Sequence, residues 1–115
     1  MESLVYDFEK KLESAINLLK ESDLTEANKK AIINFCTDSL ADGLSKARVS
    51  KYVLLLKILA RWLDRDFESA TRDDIKGIVL NLEKSSYAGH TKKELKMLLK
   101  RMYKWLKKSE EFPPE

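Results

Sequence analysis

The sequence predicts an all-α fold, a compact bundle of four to five helices. Three observations carry this. Only 3 Gly and 2 Pro stand among 115 residues, too few turn formers for a hairpin-rich β domain. Apolar residues recur every three or four positions, the spacing that puts them on one face of a helix. The longest aliphatic run, Val53–Leu56, is far short of the roughly 20 residues a membrane-spanning helix needs. The length fits one domain with a modest core.

The first helix spans roughly Ser3–Lys20, with Leu4, Phe8, Leu12, Ala15, Ile16 and Leu19 on one stripe. Thr25 is placed to cap a second helix that runs to about Leu40. Its stripe is Ala31, Ile32, Phe35, Cys36, Ser39 and Leu40. Asp42-Gly43 stops it, because Gly accepts the left-handed position after a helix. Ser45 caps a third helix, Lys46 to about Leu63. This helix is apolar over most of its circumference, from Val49 through Leu63, and leaves a narrow polar arc of Lys46, Ser50, Lys57 and Arg61. Such a helix belongs at the centre of a bundle.

Asp64-Arg65-Asp66 reads as a loop. Thr71 and Asp74 form a capping box for a fourth helix, whose stripe is Ile75, Ile78, Val79 and Leu82. Gly77 weakens its middle by about 1 kcal/mol relative to Ala and offers room for a close helix contact. Lys84 to His90 is a loop. Thr91 with Glu94 reads as a second capping box, opening a fifth helix to about Lys108. Pro113-Pro114 then imposes extended backbone. Residues 1–24 are thus expected to form an N-terminal helix and linker, 25–110 the main domain, and 111–115 the start of a linker.

Net charge is +3, but its distribution says more. Residues 1–44 carry −4, 45–66 carry +4, 67–90 carry −1, 91–108 carry +7 and 109–115 carry −3. On the fifth helix Lys93, Lys96, Lys100, Lys104 and Lys107 share an arc of about 80°. Leu95, Leu98, Leu99, Met102, Trp105 and Leu106 fall on the opposite side. Solvated helix faces usually interleave charge signs to form i,i+4 pairs, whereas residues 91–108 hold a single acid, Glu94. Confinement of positive charge to two segments points to a polyanionic partner. A membrane surface fits less well, because the apolar face opposite the lysines is needed to close the bundle.

No metal or catalytic pattern is present. The chain has one His and one Cys, and neither a zinc-ligand spacing nor a Gly-rich phosphate loop. Cys36 sits on an apolar stripe and reads as core. No cofactor and no enzymatic activity are expected of this chain, and a single Cys excludes an intrachain disulfide.

The stretch Gly43-Leu44-Ser45-Lys46-Ala47-Arg48-Val49-Ser50-Lys51-Tyr52, followed by Leu59-Ala60-Arg61-Trp62-Leu63, resembles the second helix of the core-binding domain of tyrosine recombinases, the phage-integrase family. Ala70-Thr71-Arg72-Asp73-Asp74-Ile75 is similar to that family's T-x-E-D-I helix start. Leu98-Leu99-Lys100-Arg101-Met102-Tyr103-Lys104-Trp105-Leu106 is similar to its final L-K-x-F-Y-x-W-L helix. The ending Glu111-Phe112-Pro113-Pro114-Glu115 looks like the junction to the catalytic domain in archaeal integrases. The resemblance covers about residues 25–115.

The resemblance implies a SAM-like core-binding domain that clamps duplex DNA, preceded here by an extra helix. It implies a separate C-terminal domain for the chemistry, which uses a nucleophilic Tyr with an Arg, Lys and His/Arg set. His90-Thr91-Lys92-Lys93 only superficially suggests that set, and Tyr103 reads as an aromatic of the last core helix. In family geometry the openings of the third and fifth helices meet the major groove. The implied contacts are Ser45, Lys46, Arg48 and Lys51 on the first element. On the second they are Ser86, Tyr87, His90, Thr91, Lys92, Lys93 and Lys96, with Lys100 and Lys104 more distal. Many members have Thr where Arg48 stands. The implied partners are double-stranded DNA and other recombinase subunits in a tetrameric synapse, with a monomeric isolated domain in a cytoplasmic, nucleoid-associated setting. The competing reading is a stand-alone helical protein-interaction module whose lysine ridge binds an acidic partner.

Overall fold

A computed structural model describes the backbone of residues 2–110 and the side chains of residues 10–107. The described residues form five α-helices: α1 (Glu2–Lys20), α2 (Glu26–Ala41), α3 (Lys46–Leu63), α4 (Arg72–Lys84) and α5 (Gly89–Glu110). A short 3-10 turn, Phe67–Ser69, joins α3 to α4. The fold is all-α, as the periodicity requires. The expected linker at 111–115, with Pro113 and Pro114, lies outside the described residues.

Three of the expected caps form. The Thr25 hydroxyl oxygen accepts from the Asn28 N–H, and that of Ser45 accepts from the Arg48 N–H. Thr71 and Asp74 close the capping box at the head of α4. Gly43 adopts φ 99° after α2, and the Leu44 N–H reaches back to the Ser39 carbonyl at 3.1 Å. Asp64 ends α3 in the left-handed region, at φ 56°.

The fourth expected cap does not form. The Lys92 N–H donates to the Ala88 carbonyl at 3.0 Å, so α5 begins at Gly89. Thr91 therefore stands in the first turn rather than at the cap, and Glu94 pairs with Lys51 instead. A local S/T-x-x-E pattern loses here to three extra helical residues, Gly89, His90 and Thr91, that Ala88 can initiate without a side-chain acceptor.

The central helix is α3. It packs against all four others, which explains why it is apolar nearly all round. Val49, Val53, Leu56 and Leu59 are fully enclosed. Ser50, expected on its polar arc, is buried and satisfied by the Lys46 carbonyl at 2.8 Å. The α1 helix lies along α3 and contributes Leu12, Ala15 and Leu19 to the same core. From α5 come Leu95, Leu98, Leu99, Met102 and Leu106, the face expected to point inward.

One buried polar residue holds the turn after α3. The Asn28 side chain, 3% exposed, donates to the Arg65 carbonyl at 3.0 Å and accepts from the Phe67 N–H at 2.8 Å. It bonds both backbone groups of a non-helical segment, which would otherwise be buried without partners. Gly77 is not a point of close approach: a Cβ there would meet nothing within 4 Å.

Candidate nucleic-acid interface

The lysine ridge of α5 is real as a geometric feature. Lys93, Lys100, Lys104 and Lys107 are exposed, and Lys96 is half-buried. Leucines and Met102 on the other side of the helix are enclosed, so the amphipathic division is complete. The helix is pinned from two directions. Arg101 donates to the Tyr52 hydroxyl on α3 at 3.1 Å. Trp105 donates from its indole nitrogen to Asp38 on α2 at 2.7 Å and meets Phe35 edge-on, with centroids 5.6 Å apart.

The two basic segments adjoin. Lys51, in the second turn of α3, pairs with Glu94 of α5 at 3.0 Å. The cations of α3 and α5 therefore flank one another rather than facing opposite sides of the molecule. Arg48 is exposed one turn before Lys51, and Lys46 is half-buried. The exposed Ser45 already uses its oxygen to cap α3, leaving its O–H to donate outward.

The opening of α5 meets α3 at two places. Glu94, in the second turn of α5, pairs with Lys51 in the second turn of α3. Tyr87, just before α5, packs against Trp62 in the last turn of α3, with ring centroids 6.1 Å apart. Ser45 lies at the other end of α3, about 25 Å away at 1.5 Å per residue. The polar and cationic groups thus form a band along α3 and α5. Ser86, Tyr87 and His90 are exposed at one end of that band.

Several of the expected contact residues already have intramolecular partners. Lys92 donates to the Glu83 carbonyl at 3.0 Å, at the end of α4. Lys96 forms a close ion pair with the Glu83 carboxylate. Hydrogen bonding and charge from Lys96, together with Lys92 nearby, hold the Glu83 carboxyl below the usual carboxylate range. The ridge thus divides. Lys92 and Lys96 tie α5 to α4, whereas Lys93, Lys100 and Lys104 extend from the helix with no hydrogen bond or ion pair among the described residues. Lys107 lies 5.4 Å from the centre of the Tyr103 ring, in reach of its π face.

Glu83 and Arg101 were not singled out by sequence pattern. Glu83 could have been, as an acid in the last turn of the helix preceding the basic one. Arg101 lies outside the lysine arc, and its contact is with a residue 49 positions away, which helical periodicity cannot reveal. Tyr103 is half-buried at the edge of the α4–α5 junction rather than in the core.

Among the described residues no group of three or more His, Cys, Asp or Glu could hold a metal ion. No described helix is long and apolar enough to cross a membrane. Cys36 is buried in the core, and burial pushes its thiol up to about 12, away from thiolate chemistry. No family model, curated protein or solved structure matches this chain.

Proposed function

We propose that this chain is a duplex-DNA-binding module, the core-binding domain of a site-specific tyrosine recombinase. In this reading the chemistry is supplied by a separate catalytic domain. The observation that carries DNA binding is the band of cations along α5, of which Lys93, Lys100 and Lys104 have no ion pair among the described residues, continued on α3 by Arg48 and joined to it by the Lys51–Glu94 pair. The recombinase assignment rests on the resemblance of residues 25–115 alone.

Lysine is a compact point charge, suited to phosphates rather than to base edges. The exposed Lys93, Lys100, Lys104 and Lys107 therefore position the protein on the backbone. A band of about 25 Å matches about seven base pairs of duplex, given 34–36 Å per helical turn. Arg48 has the fork geometry to read a guanine, whereas Arg61 is paired with Asp23 and Arg101 is bonded to Tyr52.

The test is binding of a fluorescently labelled duplex, followed by anisotropy over a salt series. Neutralising about five phosphates gives a log–log slope near −4.5, an affinity loss of about 500-fold between about 50 and 200 mM salt. Lys93→Glu, Lys100→Glu and Lys104→Glu together should abolish binding with the helical circular dichroism unchanged. A flat salt response, or binding that survives the triple change, refutes the reading. The coding sequence downstream of Glu115 tests the recombinase assignment separately: it should encode an Arg, a His-x-x-Arg and a Tyr nucleophile.

A further inference from the structure

The α4–α5 junction holds an open groove of about 870 Å3 with an apolar floor and a cationic rim. On the floor, Ile75 and Val79 of α4 are only half-buried, although their stripe neighbours Ile78 and Leu82 are enclosed. Leu99 and Tyr103 of α5 continue the floor, and Met97, 38% exposed, stands at the opening. Lys96, Lys100, Arg101, Lys104 and Lys107 line the rim, and among the described residues no acid lines the groove. The aliphatic stems of these lysines do not close it.

We propose that this groove docks an acidic amphipathic helix from a partner protein. Two features must be satisfied together: an uncovered apolar strip and a rim of five cations, of which only Lys96 is paired with an acid among the described residues. A duplex backbone satisfies the cations but offers nothing apolar to fill a concave floor. A helix with apolar side chains at i, i+3, i+4 and i+7, flanked by Glu or Asp, satisfies both. The groove lies between α4 and α5, and a groove between two helices can take the ridge of a third. Met97 at the opening supplies an adaptable, polarisable contact. The inference stands on the groove and its charge, independently of the DNA reading. The two surfaces share Lys96, Lys100, Lys104 and Lys107, so an acidic helix in the groove competes with DNA for those four.

The full chain is titrated with a labelled synthetic peptide carrying Leu at i, i+3, i+4 and i+7 and Glu elsewhere. A scrambled peptide of the same composition is the control, and a labelled duplex is measured on the same protein. The patterned peptide should bind at least tenfold tighter than the scrambled one, and excess patterned peptide should displace duplex. Val79→Thr with Met97→Gln, which changes no charge, should weaken the peptide at least tenfold and leave duplex binding as it was. Should the double variant unfold, Met97→Gln alone carries the test, its side chain being partly in solvent. Equal binding of the two peptides overturns the proposal, leaving charge alone. An equal loss of duplex binding in the neutral variant also overturns it, by making the groove part of the DNA face. Self-association of the wild-type chain in sedimentation, relieved by the variant, overturns it in favour of a second copy. Failure of duplex binding with peptide binding retained refutes the DNA reading and not this one.

Discussion

Glu83 is the one carboxylate that neutralises part of the α5 ridge from α4, and removing its charge tests whether that ridge meets phosphates. Lys96 is its partner, and among the described residues no other acid is paired with Lys96. Glu83→Gln keeps the shape of the side chain and releases Lys96 to solvent. If the ridge binds DNA, one further phosphate is neutralised, and the salt slope steepens by about 0.9, from near −4.5 to near −5.4. Relative to a reference at about 1 M salt, one extra released counterion is worth about eightfold in affinity at about 0.1 M. Stability should change little, because both partners are partly in solvent and such pairs contribute about 1 kcal/mol or less. The backbone carbonyl of Glu83, which holds Lys92, survives the substitution. The assay is duplex binding by anisotropy at several salt concentrations, with Lys100→Gln as the opposite-sign control. An unchanged slope in Glu83→Gln, with a shallower one in Lys100→Gln, would remove Lys96 from the interface. An unchanged slope in both would refute the phosphate ridge altogether.

Asn28→Ala should destabilise the fold by about 2–4 kcal/mol in chemical denaturation, since it strands a buried N–H of Phe67 and a carbonyl of Arg65. Gly77→Ala should raise stability by about 0.5–1 kcal/mol, worth roughly 2–8 °C in melting temperature, because a Cβ there meets open space within a helix. The Asp74 carboxyl is held below its usual range, first by the Thr71 N–H, then by the Thr71 hydroxyl and Arg65. A lowered folded-state value means its contribution is present above the usual carboxylate pKa and lost as pH falls through the folded one. Asp74→Asn should therefore melt lower than wild type near neutral pH, and the two melting temperatures should converge in acid below about pH 4. Cys36 should react with a water-soluble thiol reagent only after the chain unfolds.

The parts of the fold legible in the sequence were those governed by near neighbours. Ser45 and Thr71 act within one turn, so their caps follow from residue type and a three-residue spacing. The stripes of α3 and α5 follow from helical angle alone, and the enclosed residues match them. The failures share a physical origin. Thr91 has the right spacing for a cap, but the chain extends α5 three residues upstream, where Tyr87 packs against Trp62 of α3, a contact that no local pattern shows. Asn28 sits among the polar residues of the first turn of α2, and nothing local marks it as buried. Its partners at 65 and 67 arrive through the tertiary fold. Glu83 likewise becomes meaningful only once α4 and α5 lie side by side.

The candidate interface shows the same division between local and distant causes. Periodicity assigns five lysines to one arc of α5, but not which of them are available. Contacts with α4 answer that, by engaging Lys92 and Lys96 and leaving Lys93, Lys100 and Lys104 extended. A helix whose whole cationic face were unpaired would repel itself along its length, since like charges at i,i+4 are destabilising. Glu83 relieves that repulsion near the start of α5, where the helix joins α4. Farther along, Arg101 is held by a neutral phenol, and Lys107 by an aromatic ring, so the charge there is not cancelled. The uncompensated part of the ridge therefore lies in the second half of α5, beside the apolar groove. That is where an anionic partner gains most from binding, and where the distinction between a phosphate backbone and an acidic helix is decided by the uncovered Ile75 and Val79 rather than by charge.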